Sequence, residues 1–89
     1  MKQAPRVHEN VITHWELQRD RDCVVGRVVN HVEATGEHFF EVRLSFNGSR
    51  FYSCRFSSIR EAMREAGELL EDRTARGWVI IPDEQKATH

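Results

Sequence analysis

The sequence has too little cysteine for a disulfide framework or an ordinary zinc site. Cys23 and Cys54 are the only two; no Cys-x-x-Cys pair occurs, and each falls in an apparent strand. Such cysteines read as reduced sheet or core residues. The nearest approach to a metal ligand set is drawn from His14, His31, Cys23 and Cys54, and no two of these have finger or ribbon spacing. The five histidines, His8, His14, His31, His38 and His89, therefore read as solvated. No metal and no cofactor is expected.

Charge of one sign is lacking as well. Thirteen basic and 14 acidic side chains leave a formal net charge of −1. Strong non-specific nucleic-acid binding and DNA mimicry both need a single-sign field, so the balance argues against each, while near-neutrality weakly favours association. There is no long apolar run, signal peptide or lipidation motif, so a cytoplasmic protein with no membrane partner is expected. No glycine loop is built to cradle a phosphate. Nothing marks Cys23 as an activated nucleophile, and Cys54 is expected to point into the core. Glu61 and Glu65 fall on a solvated helix face, where charge runs are ordinary. No catalytic residues are expected, and the chain does not read as an enzyme.

What the chain does contain is concentrated between residues 39 and 78. Phe40, Val42, Leu44 and Phe46 alternate with Phe39, Glu41, Arg43 and Ser45, the pattern of a half-buried strand. Asn47-Gly48 is a strong hairpin signal. In the return run Tyr52, Cys54 and Phe56 share one phase, and Phe51, Ser53 and Arg55 the other. A two-residue turn sets Leu44 opposite Phe51. A three-residue loop with a bulge sets it opposite Tyr52 or one pair along, and keeps Phe56 on the core side, so the bulged version is preferred. Ser58 with Glu61 three residues on reads as a capping box. Ile59, Ala62, Met63, Ala66, Leu69 and Leu70 then form an apolar helical stripe, with Gly77 as the C-terminal stop and Trp78 folding back over the last turn. Gly67 lies at the flank of the stripe, where close approach of a neighbouring element would explain it.

Upstream, residues 1–10 read as a flexible arm and residues 11–82 as the folded core of a single domain. Val11, Thr13, Trp15 and Leu17 alternate with Ile12, His14, Glu16 and Gln18 in a first strand. A second strand over 23–34 has Val24, Val28 and Val32 on one face and Val25 and Val29 on the other, as in a strand covered on both sides. Gly26 within it suggests a bulge or a close contact. Trp78 to Ile81 form an apolar run stopped by Pro82, either a fifth strand at an edge or a strap across the sheet. Residues 83–89 read as a flexible tail. The expected fold is α+β: a four-stranded antiparallel meander followed by one C-terminal helix packed on one face.

One helix of about 18 residues spans roughly 27 Å and covers one sheet face, not two. The other face is expected to carry Val25, Val29 and Phe51, with Ile12 and Phe39. Exposed apolar surface marks an interface unless the chain's own ends fold over it. The leading expectation is a small non-enzymatic protein-binding module. It would be an accessory or inhibitor-type protein, bacterial or phage-borne, acting through that face or an edge strand and as a homodimer. Its interface residues would be Trp15, Val25, Val29, Phe51 and Trp78. The alternative is nucleic-acid binding, with Arg27, Arg43 and Arg55 beside Phe51 on one sheet face. The hairpin followed by Phe56-x-Ser58-x-x-Glu61-Ala62 resembles the end of the small arm-type DNA-binding domains of phage integrases, which implies a sheet placed in the major groove. The likeness covers less than half of the chain. Those domains are plainly basic, whereas residues 13–56 hold six basic side chains and six acidic ones, which cross-strand pairing would neutralise.

Overall fold

Period-two alternation in four successive runs makes four strands, and short polar connections keep them adjacent and antiparallel. In a computed structural model that describes residues 8–82, these are β1 (His8–Arg19), β2 (Asp22–Val32), β3 (His38–Phe46) and β4 (Ser49–Phe56). The helix α1 (Ile59–Ala75) and a two-residue β5 (Val79–Ile80) follow. The sheet order is β4-β3-β2-β1-β5, so the meander and its C-terminal helix are as expected. The run after Trp78 is an edge strand, not a strap: β5 pairs antiparallel with Leu17 and Gln18 of β1. β1 starts at His8, so residues 8–10 belong to the sheet and not to an arm. The expectations of a flexible arm over 1–7 and a flexible tail over 83–89 fall outside the described residues. Among the described residues no helix is long and apolar enough to cross a membrane.

Two bulges set which side chains face the helix. One lies in β1, where Val11 pairs with Val29 but Thr13 pairs with Val28. The other lies in β4. The Asn47-Gly48 turn is a two-residue turn, since Phe46 pairs with Ser49, and both turn residues have positive φ, 49° and 89°. Leu44 nevertheless pairs with Tyr52, because the register shifts between Leu44 and Ser45 and leaves Phe51 as the extra residue. The pairing is the expected one, but the bulge sits inside the strand and not in the loop. Phe51 is thereby released from the phase of Ser53 and Arg55.

The helix packs on this sheet through its smallest residues. Ala62 and Ala66 lie against Val28 and Val42, with Phe40, Tyr52, Phe56 and Leu69 around them. A second cluster joins Leu17, Val24 and Trp78, with Trp15 and Leu70 against it. Ile59 and Met63 do not join the buried stripe; they are 46% and 42% exposed on its flank. Gly67 does not mark a close approach, since a Cβ there would meet nothing within 4 Å. Gly26 does: a Cβ would stand 2.3 Å from the Trp15 ring, so the absent side chain is the seat for that indole.

Both helix ends are capped by local chemistry. Ser58 Oγ accepts from the backbone N–H of Arg60 at 3.2 Å and of Glu61 at 3.4 Å. At the other end Gly77 has φ 97°, Gly77 N–H donates to Thr74 O at 3.2 Å, and Trp78 N–H donates to Arg73 O at 3.1 Å. This is a Schellman ending, and it turns Trp78 back against Leu17 and Val24.

Candidate functional site

The sheet face away from α1 differs from the apolar surface expected of it. Val25 is half-buried and Val29 is 1% exposed, its nearest sheet neighbours on that face being Val11, Arg27, His31 and Glu41. Phe51 is not on this face. What the face presents is a polar network around Glu41. One carboxylate oxygen accepts from His31 Nε2 and from Arg43 Nη2, each at 2.8 Å, and the other accepts from the Ser53 hydroxyl. Burial alone would push this carboxyl up, but the hydrogen bonds from Arg43, Ser53 and His31 outweigh it and hold it down at about 2. Its bond to Glu41, with the charges of Glu41 and Glu9, raises Arg43, whose Nε is buried with no partner among the described residues.

The rest of the face is internally paired in the same way. His31 stacks on Phe39 with centroids 4.4 Å apart, and the Arg55 guanidinium lies 4.3 Å over the same ring. Arg27 Nε donates to His14 Nδ1 at 3.1 Å, which makes the other ring nitrogen the donor to Glu16 at 2.9 Å. Two histidines expected to be solvated are therefore tied down, and His31 is 6% exposed. Arg27, Arg43 and Arg55 do share one face, as strand phase requires, but the aromatic beside them is Phe39 and not Phe51. A depression of about 450 Å³ on this face is lined by three arginines, Arg43, Arg50 and Arg55, and by three glutamates, Glu9, Glu33 and Glu41.

Val11 is exposed at the edge of this face, but the exposed aromatic rings lie elsewhere. At the end of the molecule where the β1–β2 and β3–β4 turns meet the end of α1, an open cup of about 640 Å³ has Val24, Phe46, Phe51 and Trp78 in its lining. Phe46 is 41% and Phe51 49% exposed, while Trp78 is 8% exposed with its ring edge-on to Phe46 at 6.4 Å. Arg19, Arg73, Arg76 and Asp72 complete the cup. The Arg19 guanidinium lies 4.7 Å over the Trp78 ring, and its Nη1 donates to the Arg76 carbonyl at 3.0 Å. Arg73 lies 5.6 Å over Phe51. Asp72 Oδ2 stands 3.4 Å from Arg73 Nη1 and 3.1 Å from Arg76 Nε.

Of the five expected interface residues, the structure brings Phe51 and Trp78 together in the cup. Trp15 packs beneath, against the Leu17–Val24–Trp78 cluster. Val25 and Val29 are on the opposite face. Six residues lining the cup are not among the expected interface residues: Arg19, Val24, Phe46, Asp72, Arg73 and Arg76. Phe46 shares the strand phase of Phe40, Val42 and Leu44, and Arg73 and Arg76 at the end of α1 complement its dipole, an ordinary role that needs no ligand. The available signal was two arginines at i and i+3 directly ahead of a tryptophan at a helix stop.

Other candidate chemistry is absorbed locally. Burial and the nearby Glu16 raise the Cys23 thiol, the opposite of activation. The Tyr52 hydroxyl donates to Glu65, and that bond, with burial, pushes the phenol well above its ordinary value. Both cysteines are free, and no cluster of three or more His, Cys, Asp or Glu side chains among the described residues has metal-holding geometry. No family model, no curated protein and no solved structure matches this chain, so the likeness of its hairpin and helix start to integrase arm-type domains rests on the local motif alone.

Proposed function

We propose that the protein is a small non-enzymatic protein-binding module and that its docking surface is the cup, not the open sheet face. One observation carries this: Phe46 and Phe51, each about half exposed, stand beside Trp78 in a single open cavity. Aromatic side chains held on rigid elements and flanked by arginine are the commonest energetic centres of protein interfaces. The groups with the largest perturbations, Glu41 and Tyr52, are each occupied by hydrogen bonds within the chain and not aimed into the cup. The proposal includes the accessory or inhibitor-type role and a cytoplasmic setting, where two free thiols stay reduced.

A photo-crosslinking side chain introduced at Phe51 and, as control, at Arg64 on the solvated helix face tests this in cells. Protein adducts from position 51 that are absent from position 64 support the reading. Equal adduct patterns, or none, would sink it. An adduct of twice the chain mass, matched by a doubled mass in light scattering, would assign the partner as a second copy.

The second reading is nucleic-acid binding by the open face, and the observation behind it is that Arg27 and the Phe39-stacked Arg55 share that surface. It requires a mobility shift that weakens steeply with salt and on Arg27→Glu. The absence of any shift at low salt disposes of it.

A further inference from the structure

Resting on the protein-binding reading, we propose that the cup receives an acidic polypeptide segment with an aromatic or other large apolar anchor. The anchor seats on Phe46, Phe51 and Trp78, and carboxylates flanking it meet Arg19, Arg73 and Arg76.

The charge balance of the lining points this way. Three guanidinium groups share the cup with one carboxylate, Asp72. A single oxygen of that carboxylate serves both Arg73 and Arg76, and Arg19 is held by a carbonyl and a ring. The end of α1 adds only about half a negative charge, so the site stays positive. Arg19 is also pre-oriented by its two contacts, and a fixed guanidinium loses little rotamer freedom when it meets a carboxylate. Arg76 is 69% exposed at the rim, free to meet a carboxylate arriving from solvent.

A polypeptide fits better than a nucleic acid for two further reasons. Phe51 belongs to β4, a free edge of the sheet, whose outward main-chain groups can pair with an incoming chain. A phosphate backbone carries one charge per nucleotide and needs a basic track. Here the solvated side of α1 beyond the cup mixes exposed Arg60 and Arg64 with Glu61, Glu68 and Glu71, which makes no continuous basic track, and the arginines of the open face lie across the sheet. A short peptide needs only one or two carboxylates, and the cup has charge for that many.

The test selects a displayed library of random short peptides on the intact protein, with counter-selection on Phe51→Ala. Enriched peptides with net negative charge and an aromatic residue are the expected result. The best of them, made synthetically and labelled, should bind in fluorescence polarisation and weaken with salt. It should lose about fivefold in affinity to Arg76→Glu, as for an exposed ion pair, and nothing to Arg27→Glu on the opposite face. Enriched peptides that are neutral or basic would overturn the acidic segment and leave the protein-binding reading intact. No enrichment would also overturn it, and the crosslink from Phe51 then decides the wider reading separately. If a labelled oligothymidylate bound wild type but not Arg76→Glu, both would fall.

Discussion

On the open face Arg43, Arg50 and Arg55 meet Glu9, Glu33 and Glu41; in the cup Arg19, Arg73 and Arg76 meet Asp72 alone. The two surfaces use the same side-chain types, arginine, carboxylate and aromatic ring, in different proportions. Strand pairing explains the first. Cross-strand neighbours stand within about 5 Å: Arg27 lies opposite Arg43, but Arg55 lies opposite Glu41, and Glu41 also binds Arg43 two residues along its own strand, so this face holds counter-ions beside its cations. The cup joins segments that are remote in sequence, and no pairing rule balances its charge. Hence most of the charge on this face is tied to Glu41 as hub, whereas the cup keeps exposed rings and surplus positive charge. Arg55 on Phe39 and Arg73 on Phe51 show the difference in miniature: the first ring also stacks on His31, while the second is half open to solvent.

The comparison is tested most severely at its two carboxylates. Glu41→Gln leaves Arg43 and His31 without their partner and should cost about 3 kcal/mol in urea unfolding, as for a broken buried pair. Asp72→Asn, at an exposed site, should cost no more than about 0.5 kcal/mol. Equal losses would mean that the face is no more saturated than the cup. The same contrast appears in pH. The Glu41 carboxyl lies at about 2 in the fold against an ordinary 4.5, so its contribution is fully present above 4.5 and disappears as pH falls through about 2. Across that window wild type should lose about 2 kcal/mol more than Glu41→Gln. Parallel pH profiles would remove Glu41 from its central place.

Gly26→Ala pushes a methyl group toward the Trp15 ring beneath the cup and should cost about 2 kcal/mol through overpacking. A neutral result would show that the indole has room to move. A small stability effect is expected for Phe51→Ala, under about 1 kcal/mol because the ring is half exposed, yet this variant should abolish peptide capture. If it unfolds the protein instead, Phe51 is a core residue and the cup loses its aromatic wall.

The meander and the helix were legible because their signals are local. Alternation in 40–46, Asn47-Gly48, the Ser58 cap and the Gly77 stop each determine a few dihedral angles without reference to the rest of the chain. Most of the candidate site was not legible. Phe51 looked like an open-face residue because period-two reasoning carries a phase through a strand, and one bulged residue was enough to reassign it. Val29 looked exposed because hydropathy says nothing of the polar side chains beside it.

By itself, the sequence determined the four-stranded meander, both helix ends and the near-neutral charge. All of these follow from period, turn chemistry and composition within short windows. Only the tertiary structure decided which aromatic rings stay open to solvent and which arginines lack enough counter-ions. Those properties depend on where a helix end, two turns and an edge strand meet in space, and segments 57 residues apart, such as Arg19 and Arg76, share no local signal.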